Sequence, residues 1–207
     1  MSTAPPVAGV DLLLDGEPRA DRLLHDLAGL LVAGVQRAGG DPGTLTLGTH
    51  AVEVDGVRRV ALSIGTGPVR EDLLWSALRS ALEAAGTPDG GLVLGSRAEG
   101  ARELQAGARA AAEQHAARSG GRAVRFPGSS ALVGELPVAD VLARTAVDRV
   151  LELGAGEADP ATVLVTRGFV RPRWTGGDLV LHVQPHRGGT LVPFESPDPT
   201  PCCADHS

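Results

Sequence analysis

Lysine and tyrosine are missing from this chain altogether, and rings are scarce, with three Phe and two Trp among 207 residues. The core must therefore be aliphatic, built on Leu, Val and Ala, and every permanent positive side-chain charge is an arginine. Heavy use of Ala, Gly, Val, Leu and Arg resembles a GC-rich coding bias, which weakens any claim that a given Arg was selected over Lys for its geometry. Cysteine is confined to Cys202 and Cys203. Two adjacent thiols make no disulfide framework and suit a reducing cytosol. No run approaches the roughly 18 apolar residues of a membrane span. The opening MSTAPPVAG has neither the basic nor the apolar region of a secretory signal. These absences lead to the expectation of a cytoplasmic protein with no membrane partner.

The net charge of −6 argues against nucleic acid as a partner of the whole surface, though it permits a local basic patch. An apolar content of 43% belongs to a globular chain able to bury one substantial core or two small ones. Residues 1–9 are small and Pro-rich, and a disordered start is expected there. A single α/β domain is expected over 10–194, with an extended Pro-rich tail over 195–207.

Within the domain, apolar periodicity marks a helix over Arg22 to Gln36 and another after Pro68, with its stripe on Leu74, Ala77, Leu78 and Ala81. Between them Thr49 to Val54 and Val57 to Ile64 flank Asp55-Gly56, the dipeptide of a type I′ hairpin. The run Gly91 to Gly95 reads as a central strand, and Ser96 with Glu99 reads as a capping box that opens a third helix. The next strand, Ala123 to Phe126, would complete a parallel β-α-β unit from Leu92 to Phe126. A fourth helix is expected over Val138 to Leu153. The fold class is thus mixed α/β (α+β), with four helices on a mixed sheet, one parallel β-α-β unit and antiparallel hairpins at its flanks.

Two stretches carry candidate chemistry. Over Gly168 to Trp174 the period-two alternation puts Phe169, Arg171 and Arg173 on one face, with Val170, Pro172 and Trp174 on the other. Pro172 suggests an edge strand. Thr175-Gly176-Gly177-Asp178 turns the chain into a strand over Leu179 to Gln184. Arg167, Arg171, Arg173 and His182 lie in the densest cationic region, and Trp174 adds a ring beside them. Guanidinium groups grip carboxylates and phosphates by paired hydrogen bonds, so an anionic small molecule or acidic protein is the expected partner of a non-catalytic binding module.

The second stretch is the terminal Cys202-Cys203-Ala204-Asp205-His206. Its Cys202, Cys203 and His206 are ligand types suited to a transition metal such as zinc, or to thiol exchange. The spacing is not CxxC, so His182 and His186 are the nearest residues able to complete a site. An enzyme is the third reading. The Gly65-Thr66-Gly67-Pro68 loop resembles a phosphate-holding turn, and Ser129 or Ser130 offers a hydroxyl nucleophile. Neither has an assignable set of acid, base and nucleophile, and His25 and His115 read as packing or surface.

Overall fold

The first strand, β1 (Val7–Leu14), points Ala8 and Val10 to one side of a sheet and Gly9 and Asp11 to the other. The computed structural model to which it belongs describes residues 5–196. Helix α1 (Glu17–Arg37) follows, with Pro18 preset for its first turn, Glu17 at its positive end and Arg37 at its negative end. Ala20, Leu24, Leu27, Leu31 and Val35 are buried along it at helical spacing, and each fully buried Leu contributes about 1.5–3 kcal/mol.

Strands β2 (Thr46–Val54) and β3 (Val57–Gly65) form the expected hairpin, and Asp55 and Gly56 take φ values of 52° and 77°. Helix α2 (Glu71–Ala84) lies beside α1, close enough that a Cβ on Gly34 would fall 2.6 Å from that of Ala77. Strands β4 (Gly91–Leu94) and β5 (Arg97–Glu99) form a second hairpin, and helix α3 (Arg102–Ala116) packs on the opposite face of the sheet from α1 and α2.

The second half runs through β6 (Arg122–Arg125), β7 (Glu135–Pro137), the short α4 (Val138–Arg144), β8 (Arg149–Glu152), β9 (Gly156–Glu157) and β10 (Val163–Val165). It ends with β11 (Arg173–Thr175), β12 (Asp178–His186) and β13 (Thr190–Pro193). All thirteen strands of the described residues join one sheet in the order β5-β4-β1-β3-β2-β6-β11-β12-β13-β10-β7, with β8 and β9 branching from β12.

Two large aliphatic clusters and a small one, Val52 and Ala61 with Ala111 of α3, sit on it. One gathers β1 to β4 under α1 and α2. The other gathers Phe126, Val138, Val141, Leu164, Leu181, Leu191 and their neighbours in the second half. No helix among the described residues is long and apolar enough to cross a membrane.

The mixed α+β class with four helices is as expected, and most pairings are antiparallel. The parallel pairings lie elsewhere than expected, between β8 and β12 and between β10 and β13. Strand β4 pairs with β1 and β5, and β6 with β2 and β11, so Leu92 to Phe126 is not a parallel crossover unit. The Ser96/Glu99 pattern failed because Gly95, at φ 58°, turns the chain into β5 before the helix begins.

The fourth helix stops at Arg144 rather than Leu153. Thr145 is extended there, its Oγ1 donates to the Val141 carbonyl, and it accepts from the Val147 N–H, which takes Val147 out of the helix and lets Val150 enter β8. Strand β11 is interior, and Pro172 lies just before it with its carbonyl accepting the Ala123 N–H at 2.8 Å. The first sheet half differs between its faces. Leu47, Val60, Leu62 and Ile64 supply bulk toward α1 and α2. Gly9, Gly48, Ala61, Ser63 and Gly91 keep the other face low, so that α3 can approach its backbone.

Candidate functional site

Residues paired across neighbouring strands share a face. Thr49 of β2 faces Arg122 of β6, which in turn faces Arg173 of β11. That ladder points the two guanidinium groups toward the first turns of α1, where Glu17 and Asp21 lie one helical turn apart. Arg122 Nη2 donates to Asp21 Oδ1 at 2.8 Å, Arg122 Nη1 to Glu195 Oε2 at 2.7 Å, and Arg122 Nε lies 3.3 Å from Glu17 Oε2. Arg171 Nε donates to Asp21 Oδ2 at 2.8 Å, and Arg173 Nε to Glu195 Oε1 at 2.6 Å.

Arg122 has a side-chain exposure of only 5%, against 17% for Arg171 and 45% for Arg173. A buried guanidinium is tolerable only with its donors satisfied, and Arg122 reaches Thr49 Oγ1, Glu17, Asp21 and Glu195. The charges of these three arginines and three carboxylates cancel.

The network floors a cleft of about 860 Å³ between α1 and the C-terminal strands, walled by Phe169 and Phe194. The Arg171 guanidinium lies over the Phe169 ring, 4.3 Å from its centroid, in cation–π geometry. Phe194 is 54% exposed, an apolar surface left uncovered at the rim. A side cavity of about 160 Å³ continues past Arg171 and Arg173 to His182. The cleft therefore combines aromatic walls with a guanidinium set whose members are already engaged by carboxylates of the same chain.

Among the five residues read as a cationic site, the fold brings together Arg171, Arg173 and His182, with Phe169 beside them as the alternation indicated. Arg167 lies apart, its Nη2 3.3 Å from His186 Nε2. Trp174 points to the opposite face and is buried. Glu17, Asp21, Arg122 and Glu195 escaped sequence reasoning, because their partners are separated by as many as 150 residues and no local pattern joins them.

Cys202, Cys203 and His206 lie outside the described residues. Within those residues no group of three or more His, Cys, Asp or Glu could hold a metal ion. The Gly65–Pro68 loop has its amides engaged, since Thr66 N–H donates to the Pro6 carbonyl and Gly67 N–H to Thr44 Oγ1. Glu71 and Asp72 open the helix that follows, the wrong charges for an anion there. Ser129 Oγ accepts the Phe126 N–H, as in a plain turn. Ser129 and Ser130 share a cavity of about 370 Å³ with His25, but no hydrogen bond joins either serine to a histidine among the described residues. No protein-family model, curated protein or solved structure matches this chain.

Proposed function

We propose that the protein is a non-catalytic binding module whose cleft between α1 and the C-terminal strands takes a small amphipathic organic anion. The anionic head meets Arg173 and Arg122, and the apolar body lies between Phe169 and Phe194. The observation that carries this reading is the position of Glu195. Its two carboxylate oxygens bridge Arg122 and Arg173 at 2.7 and 2.6 Å, so the guanidinium pair is spaced to hold an anion. A ligand anion takes the place of Glu195, whose side chain follows the last strand and can leave without disturbing the sheet. The presence of only two cysteines, adjacent in sequence, accords with work in a reducing cytosol.

Anilinonaphthalene sulfonate, an aromatic anion with an optical signal, tests the idea by titration of three proteins. Arg173→Ala removes one charge-assisted contact of about 1.5–3 kcal/mol, which weakens the probe about tenfold or more. Glu195→Gln removes the competitor and tightens it. Equal affinity across wild type and both variants would remove the cleft as the site.

A further inference from the structure

On the far face of the sheet, Ser63 is fully buried between two imidazoles. Its Oγ lies 2.7 Å from His50 Nε2 and 2.7 Å from His115 Nδ1. His50 Nδ1 lies 3.2 Å from Gln114 Oε1. The Trp174 ring stacks on His50 at 5.5 Å and lies 4.5 Å from His115. The backbone is cleared to seat these groups. A Cβ on Gly48 would fall 2.8 Å from the Trp174 ring, and one on Gly65 2.6 Å from His115 Nε2. His115, read from sequence as a surface residue, is thus half-buried and fixed.

The proton positions follow from the donors available. Gln114 Nε2 donates to the Ala51 carbonyl, which turns Oε1 toward His50 and makes His50 Nδ1 the donor. His50 Nε2 then has only a lone pair, so the single Ser63 hydroxyl proton goes to it. Ser63 Oγ in turn accepts from His115 Nδ1–H. His115 Nε2 is left as a bare acceptor, with no hydrogen-bond partner among the described residues. Burial lowers the pKa of His50 to about 4. Burial, the neighbouring His50 and Arg118 lower that of His115 to about 3, so both rings are neutral near pH 7.

His115 lines a cleft of about 400 Å³, together with Trp174, Phe126, Leu179, Thr46 and Thr66. At its rim Arg118 is paired with Asp148, which also accepts the Leu179 N–H. That pairing leaves no unengaged charge there to draw an ion, and a single imidazole is too few ligands for a metal.

We infer that this cleft is a second binding site, for an uncharged molecule that offers an O–H or N–H to His115 Nε2 and a flat apolar body to Trp174 and Leu179. Ser63 and His50 act as positioning residues that hold the acceptor tautomer of His115. The site is independent of the arginine cleft, which lies on the other side of the sheet.

Phenol and toluene, matched in shape and differing in the hydroxyl, are the probes. Nitrogen NMR of histidine-labelled full-length protein should show His115 with its proton on Nδ1. Phenol should move the His115 Nε2 signal at low millimolar concentration, and toluene should not. Ser63→Ala frees the tautomer and weakens phenol about fivefold, the loss of one ordinary hydrogen bond. A proton on Nε2 in the wild type, or equal or absent responses to the two probes, overturns the inference. The wild-type comparison decides even where Ser63→Ala fails to fold.

Discussion

Acidification from pH 7 to pH 5 places protons on the imidazoles of the unfolded chain while His50 and His115 of the folded chain stay neutral. Both rings titrate lower in the folded state, at about 4 and about 3, than the ordinary histidine value of 6.5. The stability they contribute is therefore fully present above about pH 6.5 and falls away as the pH drops toward those folded values. Each ring costs about 1.4 kcal/mol per pH unit within that window. At pH 5 the pair has removed about 4 kcal/mol, a large fraction of the 5–15 kcal/mol typical of a domain.

Asp11 works in the opposite sense. Burial raises its pKa against the opposing Leu13 N–H and Arg59, so the folded chain takes up that proton first as the pH falls. A difference between two proteins isolates the histidines from it. Urea unfolding followed by far-ultraviolet circular dichroism, at pH 7, 6 and 5, gives the slope of stability with pH. The wild type should approach two protons per molecule and His115→Gln about one. A flat wild-type profile, or equal slopes in both proteins, would refute the buried neutral pair.

Two further outcomes follow from charge placement. Asp11 is fully buried, and Arg59 Nε lies 2.7 Å from its Oδ2, with an exposure of 8% for the arginine side chain. Arg59→Met strands that carboxylate and should cost about 3–5 kcal/mol at pH 7 by urea unfolding. The double variant with Asp11→Asn should recover most of the loss, and a single variant as stable as wild type would contradict the pairing. For the tail, metal analysis of full-length protein beside a chain ending at Thr200 checks the zinc expectation for Cys202, Cys203 and His206. Stoichiometric metal lost on truncation supports it, and equal content in both proteins removes it.

Much of the fold was legible wherever a local rule dictated a local shape. Asp55-Gly56 and Gly176-Gly177 both made the positive-φ turns their composition demands. Leu24, Leu27, Leu31 and Val35 were buried as their spacing required, while Leu30, on the edge of the same stripe, stayed exposed. The misreadings arose where two rules competed. Glu99 obeyed a helix-capping pattern, yet Gly95 offered a tight turn and β4 an edge to pair with, so a strand formed. Val147 and Val150 fit a helical stripe, but Thr145 ended the helix with its own side-chain hydrogen bonds, and the β-branched Val150 then suited a strand.

At the candidate site, alternation over Phe169 to Trp174 correctly sorted Arg171 and Arg173 from Trp174. It could not say that carboxylates 22 and 150 residues away would meet those arginines. His50, Ser63 and His115 are likewise scattered over three elements. Only the register of β2 on β3, and the clearance left by glycine under α3, bring them together.

The branch order of the sheet has a kinetic consequence. Residues 7–116 already contain two hairpins, three helices and a complete aliphatic cluster, so this half can collapse as soon as it is synthesised. Until β6 arrives, β2 presents an unpaired edge, and only Leu47, Gly48 and Thr49 of that strand are later covered by it. Arg122 opens β6, and its guanidinium pairs with Asp21 and Glu17 on α1, which precedes it in the chain. If the first half folds first, it would offer Arg122 its carboxylate partners, and a delay at β6 would leave the β2 edge open to pairing with another chain.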